Sequence, residues 1–177
     1  MADLTDNALR ASIKALDEVV APAIDASNPL AVEQLRLVSR FLGFLRSRLQ
    51  YQAERERFEL RHYLALANTL RGDAASGAPP CAALIGEAIA AGAALVDRID
   101  ASTQDIRAAV NGLTAALSVL VRSVADADPV LRQRVERTVV AASKSLFDVQ
   151  RAWYLPIGFE PDPDQVPSIE TALAARS

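Results

Sequence analysis

Cysteine and histidine each occur once in the 177 residues, and glycine occurs only seven times. With one of each, no Ser/His/Asp or Cys/His catalytic set can be argued. The single Cys81 also excludes an intramolecular disulfide framework and fits a reducing compartment. Scarce glycine, and the lack of any run that alternates with period two, leave β-strands without support. The opening Met-Ala-Asp-Leu-Thr-Asp has neither a basic n-region nor an apolar h-region, so no secretion signal is expected. The most apolar run, residues 81–96, is too short to span a bilayer and contains Glu87. These absences predict a cytoplasmic protein without membrane contact.

What is present is apolar surface and answering charge. Apolar residues make up 51% of the chain, enough at this length for one substantial core, and a single domain is expected. The net charge of −3 conceals an alternation: residues 1–25 are net −3, 26–72 net +4, 80–128 net −3 and 129–153 net +3. Acidic and basic segments that answer each other suit helices packed side by side. With no isolated basic tail, they argue against nucleic acid as a partner.

The longest pattern runs from Ile85 to Val124. Alternating steps of four and three residues pick out Ile85, Ile89, Gly92, Val96, Ile99, Thr103, Ile106, Val110, Leu113, Leu117, Leu120 and Val124, a heptad seam broken only at Gly92 and Thr103. It predicts one continuous helix of roughly 60 Å. Leu9, Ile13, Leu16 and Val20 mark an earlier helix that Pro22 kinks or ends. Asn28-Pro29 supplies a cap and first turn for the next, and Asp128-Pro129 does the same for the last. The predicted fold is all-α. Helices cover about residues 5–21, 29–71, 80–126 and 129–154 of a single bundle spanning 1–153, with a turn over 72–80. Residues 155–177 form a proline-rich tail with a short terminal helix.

Folding the second helix onto the third pairs Leu70 with Cys81, Leu49 with about Ser102 and Leu35 with about Ala116. The two shorter outer helices then flank only one end. The expected shape is an elongated antiparallel bundle whose two long central helices project as a hairpin over residues 51–101. Tyr51, Phe58, Leu60 and Leu64 on one arm, with Ala83, Ala90, Ala93, Ala94 and Leu95 on the other, exceed what one mutual contact can bury. A second copy would bury the excess by two-fold symmetry; the alternative cover is the proline-rich tail. The leading expectation is therefore a non-enzymatic interaction or accessory protein without a cofactor. It would be a homodimer through residues 51–101 and could also take a protein partner.

The second helix keeps a heptad of its own, Leu35, Val38, Leu42, Leu45, Leu49, Gln52, Glu56, Glu59, Tyr63, Leu66 and Leu70, in which three successive positions are polar. That conflict is the clearest functional hint in the chain. In the predicted hairpin Glu56-x-x-Glu59 faces Asp97-x-x-Asp100, and four carboxylates brought together need protons or a cation. Two acidic i,i+3 motifs on antiparallel helices resemble the Mg²⁺ site of the all-α nucleotide pyrophosphohydrolases of the MazG and dimeric dUTPase type. The resemblance covers these four positions and their helical setting. Here the second motif begins with Asp rather than Glu, and the two motifs stand farther apart than is usual in that family. It implies Mg²⁺ held by Glu56, Glu59, Asp97 and Asp100, with Arg55, Arg61 and Arg98 directed at phosphate. The bland alternative pairs the carboxylates with Arg55, Arg57, Arg61 and Arg98 in a solvated stretch.

Glu59-x-x-His62 has the spacing used in di-iron carboxylate bundles, where Glu87 would have to complete each half, although the seam turns Glu87 away from the second helix. A hydrogen-bonded flanking histidine is the alternative. Phe41, Phe44, Arg48, Tyr51, Arg55 and Phe58 form a second stripe, whose expected use is packing rather than base stacking.

Overall fold

A computed structural model describes residues 4–74, 82–125 and 128–175. Among them every regular element is helical, so the fold is all-α as expected. None of the described helices is long and apolar enough to cross a membrane. Most of the predicted 72–80 turn, Cys81 and the predicted helix end at 126 lie outside the described residues. The chain divides into two compact units, Met1–Gln52 with Trp153–Gln165, and Ala53–Ala152 with Val166–Ser177. The sequence reading had grouped residues 1–153 as one bundle.

In the first unit, α1 (Leu4–Ala15) passes through a π-helical turn (Leu16–Val20) into α2 (Ala21–Ala23), and α3 (Pro29–Arg48) packs against α1. Pro22 has no N–H and would crowd the carbonyl four residues back. It follows the widened turn, in which the Ala21 N–H reaches the Leu16 carbonyl. Asn28 caps α3 by accepting from the Ala31 N–H at 3.1 Å, with Pro29 in the first turn. Arg46 binds Asp6 at 2.7 Å, and Ser39 donates to Asp17 at 2.7 Å.

The segment after Tyr154 lies along α3 and is not free chain. Tyr154 stacks on Phe44 at 5.8 Å, Arg48 Nε donates to the Trp153 carbonyl at 2.8 Å, and Arg40 donates to the Ile157 carbonyl. Gly158 closes the 3₁₀ turn Leu155–Ile157 with φ +82°. A Cβ there would stand 2.8 Å from Arg40 Nη2, so both backbone and space call for glycine.

In the second unit, α4 (Gln52–Ala74) follows a 3₁₀ turn at Leu49–Tyr51, and α5 (Ala82–Val96), α6 (Thr103–Ser123), α7 (Pro129–Tyr154) and α8 (Ile169–Ala174) complete the helices. The continuous 80–126 helix of the sequence reading is corrected here: α5 ends at Val96 and α6 begins at Thr103. Ser102 caps α6, accepting from the Asp105 N–H at 3.1 Å while its hydroxyl donates to the Asp105 carboxylate at 2.7 Å. Arg57 reaches from α4 to the carbonyls of Arg98 and Ile99, each at 3.0 Å. Thus α6 folds back antiparallel on α5, and Ile99 is left 95% exposed instead of lying in a seam.

Gly92 sets the register of the folded helices. A Cβ at Gly92 would meet Leu64 Cδ2 at 2.9 Å and Leu113 Cδ1 at 3.2 Å, so the backbone of α5 comes close to both neighbours there. Leu64 thus meets Gly92, five residues beyond the partner that the sequence pairing assigned it. The core gathers Leu60, Leu64, Ala67 and Leu70 of α4, Ile85 and Ile89 of α5, Leu113, Leu117 and Leu120 of α6, and Val135 of α7.

Two further expectations change as a result. Phe58, Leu60 and Leu64 are buried by the chain itself, so the α4 part of the surplus apolar surface assigned to the 51–101 hairpin is covered internally, while Ala83, Ala90, Ala93 and Ala94 of α5 stay exposed. The terminal helix also belongs to the core of the unit: Ile169, Ala172 and Leu173 are buried, and Ser168 caps them by accepting from the Thr171 N–H. Leu173→Ala is therefore expected to destabilise the protein by about 2–4 kcal/mol, as for other fully buried leucines. Urea unfolding measures this, and a loss below about 0.5 kcal/mol would show that α8 is peripheral.

Candidate functional site

The four carboxylates of the sequence reading are not brought together. Glu56 is 5% exposed and accepts from Arg107 of α6, at 3.0 Å from Nε and 2.7 Å from Nη2. Glu59 pairs with Arg55 one turn away at 3.0 Å. Asp100 pairs with Arg98 at 2.9 Å, and that guanidinium holds its carboxyl below the usual aspartate value. Asp97 is exposed in the turn after α5. Among the described residues no three His, Cys, Asp or Glu side chains are grouped so as to hold a metal ion.

The physical reason is the helix break: an i,i+3 pair shares a face only while the chain is helical, and Asp97 and Asp100 lie beyond the end of α5. The proposed phosphate ligands are dispersed with them. Arg55 and Arg98 are engaged in these ion pairs, and Arg61 is exposed on α4. The bland alternative describes Glu59 and Asp100 correctly, while Glu56 is held by Arg107, which sequence reasoning did not consider. The Glu87 needed for a di-iron half-site is exposed on α5.

The structure does build a polar centre around His62, which is only 3% exposed. Phe58 stacks on its ring at 6.0 Å, and Tyr63 meets it edge-on at 5.1 Å. Nδ1 lies 3.3 Å from Ser145 Oγ of α7, which in turn lies 3.3 Å from the Ala142 carbonyl. A carbonyl can only accept, so the arrangement that satisfies both contacts has Ser145 donating to Ala142 and accepting from Nδ1–H. Nε2 then carries the lone pair. Burial pushes the imidazole pKa down and keeps it neutral. His62 and Ser145 are 83 positions apart, and no local pattern in the sequence joins them.

Beside it lies a cleft of about 590 Å³, walled by short apolar residues such as Ala65, Leu66 and Ala142 and by Thr69 and Thr138. Lys144 and Asp148 also line it and pair with each other at 2.8 Å.

The first unit offers a different kind of site, an apolar helix face. Leu30, Leu37, Val38, Phe41, Leu45 and Leu49 are each between 37% and 69% exposed. At 100° per residue they fall on one arc of α3 and the turn that follows it, between the side facing α1 and the side facing Trp153–Phe159. In this unit only Phe44 and Trp153 are buried among the described residues.

Comparison with known protein families, with curated protein sequences and with solved structures returned no match.

Two outcomes follow from this geometry. Saturating Mg²⁺ or Mn²⁺ is expected to leave the melting temperature unchanged, because a ligand held by the native state must raise it. A dose-dependent rise that Glu56→Gln abolishes would restore the carboxylate centre. The second outcome concerns pH. The folded pKa of His62 lies below its unfolded value, so the unfolded chain takes up the proton first as pH falls below about 6.5. Stability should be unaffected above that pH. It should fall below it by up to about 1.4 kcal/mol per pH unit until the folded imidazole itself titrates. Urea midpoints between pH 7.5 and 5 measure the slope, which the single-histidine variant His62→Phe should lose; an unchanged slope would assign it to other groups.

Proposed function

We propose that this protein is a non-enzymatic helical interaction protein that assembles as a homodimer through the apolar face of α3. The observation that carries the reading is the exposure of Leu30, Leu37, Val38, Phe41, Leu45 and Leu49 in a unit that buries almost nothing else. A contiguous apolar stripe about 30 Å long on so small a unit is what a protein interface provides and what an isolated helical pair lacks the core to tolerate.

A second copy is favoured as the occupant because the stripe is nearly its own reverse. Turning α3 about a two-fold axis between Ser39 and Arg40 brings Leu30 level with Leu49, Val38 with Phe41 and Leu37 with Leu42. Gln34 falls level with Leu45 and is the one polar residue of the seam. This is the self-complementarity that an isologous contact requires. The arginines of α3 do not oppose it: Arg36 and Arg46 are paired with Glu33 and Asp6, and Arg40 and Arg48 are turned onto the carbonyls of Ile157 and Trp153.

Light scattering coupled to size exclusion is expected to give about twice the chain mass of 18.9 kDa. Phe41→Asp combined with Leu45→Asp is expected to give a monomer with unchanged helical circular dichroism. A wild-type monomer at every concentration, or a double variant that remains dimeric, would overturn the reading.

A further inference from the structure

The cleft between α4 and α7 contains a feature that packing alone does not require. His62 lines it, is more than nine-tenths buried, and has one ring nitrogen tied to Ser145. Nε2 has no protein partner among the described residues, and it is not among the polar atoms sealed from solvent. It therefore opens on the cleft that its side chain lines. A bare imidazole nitrogen at the floor of a mostly apolar cleft is an acceptor awaiting a donor.

We infer that this cleft binds a small, neutral, largely apolar molecule that carries one O–H or N–H group, which donates to Nε2 of His62. Four observations define that class. The volume of about 590 Å³ lies within the range of ligand sites, and is several times the roughly 150 Å³ that suffices for a benzene ring. Ala65, Leu66, Ala141, Ala142 and Ala175 supply apolar wall, which favours an apolar body. The two charged side chains on the lining, Lys144 and Asp148, neutralise each other at 2.8 Å, so the cleft has no net charge to attract an ion. The hydrogen-bonding of Ser145 leaves Nε2 as an acceptor, so the complementary group on the ligand is a donor. The inference is independent of the dimer, since every residue involved lies in the unit Ala53–Ala152 with Val166–Ser177.

Phenol tests it, with toluene as the isostere that lacks the donor and benzoate as the anion. His62 is the one histidine in the chain, so its ring ¹⁵N resonances report on the site without ambiguity. Titrating phenol into the full-length protein should move the Nε2 resonance saturably. Toluene should bind at least tenfold more weakly, and benzoate should produce no saturable shift. His62→Phe keeps a ring to stack on Phe58 but supplies no acceptor. It should weaken phenol at least tenfold and leave toluene unchanged.

No saturable response to phenol would overturn the inference. Equal affinity of phenol and toluene would also overturn it, since the cleft would then be merely apolar. The wild-type comparison of the three probes decides the matter even if His62→Phe fails to fold.

Discussion

The larger unit depends on the reversal of the chain at residues 97–102. Once the helix stops at Val96, the carbonyls of the turn that follows stand outside any helical ladder and need donors of their own. Arg57 supplies two donors to the Arg98 and Ile99 carbonyls, and Ser102 restarts the helix by capping α6. Two apolar seams that follow one another along the sequence are thereby laid against each other. Ile85 and Ile89 share a core with Leu113, Leu117 and Leu120. Had the helix continued, each seam would have needed a partner of its own from elsewhere.

The same device recurs where α7 gives way to the C-terminal segment. Arg48 donates to the Trp153 carbonyl and Arg40 to the Ile157 carbonyl, so arginine forks are used to satisfy backbone oxygens where helical geometry ends. This explains why a basic second helix does not simply mirror acidic neighbours. Of its arginines, Arg36, Arg46 and Arg55 pair with carboxylates, two of them within α3 or α4 themselves. The two units also differ in how they use apolar residues. One encloses them around α4, on an arc of Leu60, Leu64, Ala67 and Leu70 and on another of Phe58 and His62, while the other leaves the α3 arc open.

Helix boundaries set by local chemistry were legible in the sequence. Asn28-Pro29 and Asp128-Pro129 act as expected, the latter with the Asp128 carboxylate accepting from the N–H groups of Val130 and Leu131. The break before Thr103 was hidden because the heptad keeps its phase across it. Ser102-x-x-Asp105, a local capping signal, was present but outweighed by periodicity. The carboxylate site failed with the helix that was to display it. The centre at His62 was only half legible: a hydrogen-bonded histidine was among the readings of Glu59-x-x-His62, but its partner Ser145 lies 83 positions away on α7, where no local pattern points to it. The tail was underestimated because prolines exclude long helix without excluding burial, and one turn of helix suffices to bury Ile169 and Leu173.

The close approach at Gly92 constrains how this protein can vary. Any side chain at that position would press on Leu64 from α4 and on Leu113 from α6, so three helices share a single small volume. Substitutions at positions 64, 92 and 113 are therefore energetically coupled: each one's effect depends on which residues occupy the other two. An alanine at 92 becomes tolerable only where a neighbouring leucine has been shortened, and a shortened leucine leaves a void unless 92 has grown. Descendants of this sequence should consequently change the three positions in concert, so that a record of contact between α4, α5 and α6 would be written as covariation long after overall similarity has faded.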